Sequence, residues 1–152
     1  MITFQREKWA DCVDEMREIW PEHWAALALN QNEIALGVDE PKYANGDLAG
    51  VLHLVTARVD GVLVGYYYGM LMQHLHYKDA GLMCYTDVYY LQPKYRRGGA
   101  GAKFLIAVME SLKVRGVVKL YMSTKVHQDN GALFERLGMK CTDRIFTKML
   151  GD

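Results

Sequence analysis

The rhythm of hydrophobic and polar positions changes near residue 50 of this chain. Over residues 7–20 the apolar positions (Trp9, Val13, Met16, Ile19, Trp20) recur mostly near helical spacing, which predicts an amphipathic helix. Pro21 restricts Trp20 and marks a boundary, so a second helix is expected to start there, with Pro in its first turn and Trp24, Leu27 and Ile34 along it. Residues 37–50, with Pro41, Asn45-Gly46 and several charges, read as a loop. A short strand at residues 2–4 precedes them. Beyond residue 50 the pattern is that of strands. Leu52–Val59 and Val62–Gln73 flank Asp60-Gly61, a dipeptide suited to a tight hairpin turn. Residues 74–81 are polar and turn the chain, and Leu82–Leu91 is a third long strand rich in Tyr and Val. A helix then runs to about Val114, with Ala102, Leu105, Ile106, Met109 and Leu112 on one stripe and Gly116 just past its end. A strand at 117–122, a short helix at 129–137 closed by Gly138, and a terminal hairpin or bent strand pair at 139–150 complete the chain. The order β-α-α-β-β-β-α-β-α-β-β predicts an α/β domain with a mixed sheet.

Composition narrows the functional classes. At 152 residues with 51% hydrophobic side chains, one domain spanning 1–152 can build its core without metal or disulfide staples. Eighteen basic against eighteen acidic side chains leave a net charge of zero, which argues against a dedicated nucleic-acid binder. Cys12, Cys84 and Cys141 are an odd number without a C-x-x-C pair, so neither a disulfide framework nor a thiolate zinc site is indicated. Neither a signal-peptide pattern nor an apolar run of membrane-spanning length is read, and the expectation is a soluble, cytoplasmic protein without a membrane partner.

The informative segment is Leu91-Gln92-Pro93-Lys94-Tyr95-Arg96-Arg97-Gly98-Gly99-Ala100-Gly101-Ala102. A strand ends, a Pro-initiated turn follows, and a glycine-rich stretch opens a helix. Such a helix start offers unpaired N–H groups and the positive end of the helix dipole, an anion site to which glycines give close access. Between Pro93 and Gly116 stand six Lys or Arg and one acidic residue, Glu110, in a chain that is neutral overall. That fits a diphosphate. The spacing is neither a P-loop nor a dinucleotide fingerprint.

What it matches is Arg-x-x-Gly-x-Gly, at Arg96, Gly99 and Gly101. The run resembles the acetyl-coenzyme A loop of the GNAT N-acetyltransferase superfamily, and Phe134-Glu135-Arg136-Leu137-Gly138-Met139 resembles that superfamily's Tyr-Glu-Lys-Leu-Gly-Phe segment. The element order agrees along the whole chain. His23-Trp24, His74-Leu75-His76-Tyr77 and Tyr95-Arg96-Arg97-Gly98-Gly99 resemble more narrowly the small GNAT proteins often encoded by bacteriophages, which would place this one in a host cytoplasm.

The resemblance implies a single-domain GNAT-like fold. Its mixed, mostly antiparallel sheet, flanked by helices, would splay around acetyl-CoA between Leu82–Leu91 and the strand at 117–122. Acetyl transfer to a primary amine by direct attack is then the expected activity. The alternative is an acyl-CoA-binding or host-protein-binding module with little or no transferase activity. The same resemblance assigns coenzyme contacts to Tyr89, Leu91, Arg96, Arg97, Gly98, Gly99, Ala100, Gly101, Ala102 and Phe134. The Leu91 N–H would meet the thioester carbonyl, and the amides of residues 97–102 the pyrophosphate.

Catalysis needs a base, because an ammonium cannot attack a thioester. Superfamily members often carry one on the pre-loop strand at positions matching Asp87 and Tyr85, and alternation would place both on the face of Leu91. Asp87, acting through water, is the candidate; a hydrogen-bonded structural or substrate-anchoring Asp is the other reading. His74 and His76 would bind the acceptor or relay a proton near the cleft mouth, or stay solvated. The combination of both with Asp87 as metal ligands has no supporting pattern, and no metal is expected. Cys84, on the face opposite Asp87 and Leu91, reads as a small apolar residue rather than a nucleophile. One departure matters. The superfamily's acid is often a Tyr where this chain has Phe134, so water, Tyr121 or Tyr90 would have to protonate the leaving thiolate. The upstream Asn of that motif is replaced by His127. Trp9, Trp20 and Trp24 read as core more than as a substrate platform, while Glu22, His23 and Glu33 are the polar groups available to select an acceptor. The acceptor itself, a small-molecule or peptide amine, is not specified, and a homodimer is a possible assembly.

Overall fold

The computed structural model describes residues 1–151 as one five-stranded sheet with helices on both faces. The elements are β1 (Ile2–Arg6), α1 (Trp9–Leu27), α2 (Glu40–Leu48), β2 (Leu52–Val59), β3 (Val62–Gln73), β4 (Leu82–Leu91), α3 (Ala100–Val114), β5 (Val117–Tyr121) and α4 (Gly131–Arg136). Strands lie in chain order and pair antiparallel, except that β4 and β5, joined through α3, run parallel. Asp60 and Gly61 both adopt positive φ (50° and 84°), so the β2–β3 hairpin closes as expected.

Two apolar layers sandwich the sheet. On one face Trp9, Cys12, Met16, Ile19 and Trp20 of α1 pack against Leu52, Leu54, Tyr66, Tyr68 and Tyr90. On the other, Ala100, Phe104, Val108 and Leu112 of α3 pack against Val55, Val64, Tyr67, Cys84 and Leu91. The buried stripe of α3 is thus centred on Phe104 and Val108, and Ile106, expected inside, is 41% exposed.

Three expectations about the elements are corrected. The helix predicted to break at Pro21 continues to Leu27. Pro21 lies on the solvent side, while the apolar stripe carries on through Trp20, His23 and Leu27, so packing outweighs one missing helix bond. Ile34, placed on a second helix, instead sits exposed in a turn. The expected loop at 37–50 contains α2, whose start is capped by the Asp39 side chain accepting from Lys42 N (3.1 Å), with Pro41 in its first turn. This helix returns the favour: the Asp47 carboxylate accepts from Trp9 N at 2.9 Å, at the start of α1. Residues 139–150 form no strand. Alternation makes a segment suitable for a ladder without supplying a partner; here Ile145, Phe146 and Leu150 stay exposed and Thr142 bonds its neighbour Asp143.

Candidate active site

The site is built around a change in β4. Tyr68 pairs with Val88, but Gly69 pairs with Thr86, so Asp87 has no partner across the ladder. This β-bulge shifts the phase of the strand. Leu91 and Tyr89 pack on the α3 face and Tyr90 and Val88 on the α1 face, yet beyond the bulge Cys84 and Leu82 belong to the α3 face. Asp87 and Tyr85 therefore do not share a face with Leu91, as simple alternation implied, and Cys84 does. Asp87 instead turns toward α2, where it accepts a hydrogen bond from the Tyr43 hydroxyl. Gly69 permits the bulge: a Cβ there would come within 2.7 Å of both Cys84 Sγ and Tyr67 Oη. The Cys84 thiol, against Tyr67 Oη at 3.2 Å, is pushed up by burial, which suits an inert core residue.

The bulge coincides with a fork. β5 pairs with β4 only from Leu82 to Tyr85, ending where the Tyr85 and Tyr121 rings stack 4.4 Å apart. From residue 86 to 91, β4 has β3 on one side and no strand on the other. Gln92 N donates to Val64 O (2.9 Å), which makes Leu91 and Gly65 a non-hydrogen-bonded pair. The Leu91 amide consequently points away from β3, into the fork. Arg96 Nε, donating to Leu91 O at 2.7 Å, ties the following loop to the same edge.

That loop ends in Gly98 and Gly99 with φ of 62° and 76°, conformations that favour glycine, and Gly99 caps α3. Ala100 N reaches Arg97 O and Lys103 N reaches Gly99 O. The amides of Arg97, Gly98, Gly99, Gly101 and Ala102 find no acceptor among the described residues. Ala100 itself is buried under the turn.

Two cavities flank the fork. One, of about 750 Å³, lies between α1, α2 and β4 and includes Trp20, His23, Trp24, Tyr43, Tyr68 and Asp87 in its lining. The other, of about 370 Å³, lies against α3 and α4 and is bordered by Tyr89, Leu91, Arg96 and Gly101. Tyr89 lines both. Its hydroxyl accepts from Asn130 Nδ2 (3.0 Å), and burial holds its ionisation above the usual phenol range. Phe134 is buried and edge-on to the Tyr89 ring at 5.9 Å, outside both linings.

Next to the fork, His23 stacks on Tyr90 (4.5 Å between ring centroids) and shares a 2.8 Å hydrogen bond between Nδ1 and Tyr66 Oη. Burial, with a smaller contribution from the Arg96 charge, lowers its pKa to about 4, so it is neutral at pH 7. Glu22 does not face an acceptor. Its carboxylate takes hydrogen bonds from Tyr90 Oη (2.8 Å) and Gln92 Nε2 (3.0 Å), bracing α1 against the end of β4. Glu33 is exposed and borders neither cavity. Of the tryptophans, Trp9 is core, while Trp20 and Trp24 border the large cavity.

His74 and His76 lie elsewhere. They follow β3 at the opposite end of β4, where Gln73 pairs with Leu82, roughly 15 Å of strand from Asp87. Neither borders a cavity, and the three residues do not gather. Among the described residues, no group of three or more His, Cys, Asp or Glu is placed to hold a metal ion. Nor is any helix long and apolar enough to cross a membrane. The residues the sequence reading missed are Tyr43, Lys42 and Asp39, hidden because α2 was read as loop, and Asn130, which holds Tyr89.

A glycine-turn helix start beside a sheet that forks after its fourth strand is the arrangement the sequence resemblance called for. The model of the acetyltransferase (GNAT) family matches residues 9–139. The chain belongs to the GNAT acetyltransferase family. Solved structures of the same fold include the ribosomal-protein-alanine N-acetyltransferase of Brucella melitensis biovar Abortus 2308, at 16% identity and TM-score 0.72 over 99% of this chain and 100% of that one. An aminoglycoside acetyltransferase, meta-AAC0020, from an uncultured soil metagenomic sample aligns at 12% identity and TM-score 0.75, covering 99% and 97%. A predicted acetyltransferase from Clostridium acetobutylicum, with acetyl-CoA, aligns at 14% and 0.68, again covering 99% and 97%. At these identities the likeness of this GNAT chain to them is one of fold. None of the curated protein sequences compared with it matches.

Proposed function

We propose that residues 1–152 form an N-acetyltransferase domain that transfers the acetyl group of acetyl-CoA to a primary amine. The observation that carries this reading is the set of five unsatisfied amides around the α3 start, next to an unpaired edge of β4. Diphosphate oxygens fit those amides, and an extended amide-bearing arm fits the fork. One of the solved relatives by fold holds acetyl-CoA, which agrees with this use of the architecture.

In this reading acetyl-CoA supplies the acyl thioester, and the chain's own groups do the rest. The Leu91 amide holds the carbonyl oxygen as it gains charge. Asp87, kept in place by Tyr43, takes the proton of the incoming ammonium through water. Tyr89 Oη, which accepts from Asn130 and so keeps its own hydrogen free, donates to the departing sulfur. It would thereby supply the hydroxyl that Phe134 lacks. Gly98 and Gly99 shape the phosphate turn, with Arg97, Gly101 and Ala102 contributing backbone amides. His74 and His76 have no role in this scheme.

Phe134 also favours a second reading, a coenzyme-binding module with little turnover. Thermal unfolding tests both at the first step. Acetyl-CoA at about 100 times its Kd should stabilise the protein by roughly 2.7 kcal/mol, a Tm shift of roughly 5–10 °C for a domain of this size. Gly99→Glu should abolish the shift. No shift in a folded parent overturns coenzyme use altogether. A shift without release of free thiol across an amine panel favours the module.

A further inference from the structure

The large cavity has an electrostatic character that narrows its ligand. Four charged side chains border it, Asp39, Lys42, Asp87 and Lys125. Asp39 and Lys42 pair with each other at 3.2 Å, and the remaining two carry opposite signs. His23 adds no charge at pH 7, since burial holds its pKa near 4. The cleft is therefore balanced, with one carboxylate outside an ion pair, Asp87, at the bulge beside the fork. Such a site attracts a single positive charge to one place and gives a polycation nothing for its further charges.

The walls are of a different kind. Trp20, Trp24, Tyr43, Tyr68 and Tyr85 border the same space as Asp87, and Leu36, Val38 and Met70 extend it. Aromatic faces stabilise a nearby ammonium and also bury an apolar body. Trp20 forms the inner end of this wall, 6% exposed.

We infer that this cavity takes a primary amine carrying one positive charge on an apolar, ring-bearing body, with the ammonium against Asp87 and the body among Trp24, Tyr43 and Tyr68. Polycationic sugars and polyamines are poor fits. The inference rests on the acetyltransferase reading for what happens to the amine, and on the cavity alone for which amine enters. Within that reading the reaction balances simply. The ammonium proton leaves by way of Asp87, the amine nitrogen forms a bond to the acyl carbon, and the carbon–sulfur bond breaks with its electron pair going to sulfur; the second proton that nitrogen sheds as the amide forms replaces the one Tyr89 gives to the thiolate.

Binding is measured directly, by titration calorimetry with phenethylamine and tryptamine against spermidine and sisomicin, in moderate salt. The arylalkylamines should bind about tenfold tighter or more than either polycation. Asp87→Asn should weaken arylalkylamine binding by about tenfold, and Trp24→Ala should do likewise while leaving the acetyl-CoA thermal shift in place, which reports that the variant is folded. Tighter binding of spermidine or sisomicin overturns the inference, as does an arylalkylamine affinity indifferent to both substitutions. The two levels separate cleanly. Arylalkylamine binding without an acetyl-CoA shift sinks the transferase reading and leaves the cavity assignment standing. A shift and turnover with a preference for polycations do the reverse.

Discussion

β4 is one strand with two unlike halves. From Leu82 to Tyr85 it is paired on both sides, by β3 and by β5, and its Cys84 is wholly buried. From residue 86 to 91 it is paired on one side only, borders both cavities, and carries Asp87, Tyr89 and Leu91. The first half is flanked by a strand on each edge. The second has no strand on its other edge, where Arg96 already meets Leu91 O, and the bulge at Asp87 separates the two. A sheet edge buried without partners is costly, so an open half protected within a fold points to something meant to occupy it.

The strongest way to break this contrast is to delete Asp87. Val88 and Thr86 then follow one another opposite Tyr68 and Gly69, so the ladder becomes regular and Leu82 and Cys84 keep the α3 face. The fold should survive within about 2 kcal/mol of the parent. The kcat/KM for the amine should fall by about 10³-fold or more, because carboxylate and bulge are lost together. Urea unfolding followed by circular dichroism checks the first and an acetyl-transfer assay the second. A deletion variant with nearly the parental kcat/KM would mean the bulge is dispensable.

Asp87→Asn sharpens the same contrast, because it keeps the residue count and removes only the charge. The fold should stay within about 1 kcal/mol of the parent, and the acetyl-CoA shift should persist. The kcat/KM for the amine should fall by about 10²-fold or more. Retention of most activity across the pH range would remove Asp87 from the base role and leave it as a bulge residue bonded to Tyr43.

Acidification probes the packing that supports each half. His23 stacks on Tyr90 of the open half, whereas His53 is fully buried on β2, its Nδ1 3.5 Å from Arg115 and its Nε2 without a partner among the described residues. Burial, aided by nearby arginine charge, lowers both pKa values to about 4. In the unfolded chain both titrate near 6.5, so the unfolded state binds the more protons between these values. Stability is fully present above about pH 6.5, falls as pH drops toward 4, and levels off below. Each histidine should account for about 3 kcal/mol of that fall. His53→Phe and His23→Phe should each flatten the stability–pH curve by about half. A curve unchanged in either variant would mean that histidine titrates alike in the folded and unfolded chain.

Local chemistry made much of this legible from sequence. Asp60-Gly61 needs only its own dihedral angles to specify a turn, and Gly98-Gly99 before a patterned helix specifies a cap within a few residues. The pairing of β4 with a later strand also followed, through the family resemblance. What was not legible depends on partners distant in sequence. The bulge exists because Gly69 of β3 admits it, and no count along β4 reveals the extra residue. α2 was hidden by Asn45-Gly46, which imitates a turn; Asp39 followed two residues later by Pro41 was the start signal that could have exposed it. The continuity of α1 through Pro21 comes from the sheet beneath it. The expected strands at 139–150 had the right side chains and no ladder to join.

The smallest effect belongs to the closed end. His74 and His76 sit in the turn beyond Gln73, where their contacts are with each other and with Tyr77: ring centroids 5.7 Å apart for the two histidines, 4.7 Å from His74 to Tyr77, and His76 N donating to His74 Nδ1 at 3.2 Å. Nothing in that cluster touches the open half of β4. Replacing both by alanine should leave stability within about 0.5 kcal/mol and kcat/KM within about twofold, a difference of about 0.4 kcal/mol in barrier. A loss of tenfold or more, in a variant that unfolds like the parent, would place the acceptor across both ends of the strand. The distinction between a committed half and an open half would then fail, because the turn would have to close over the fork during turnover, and a pH profile losing one limb in the double variant would identify the imidazole that arrives.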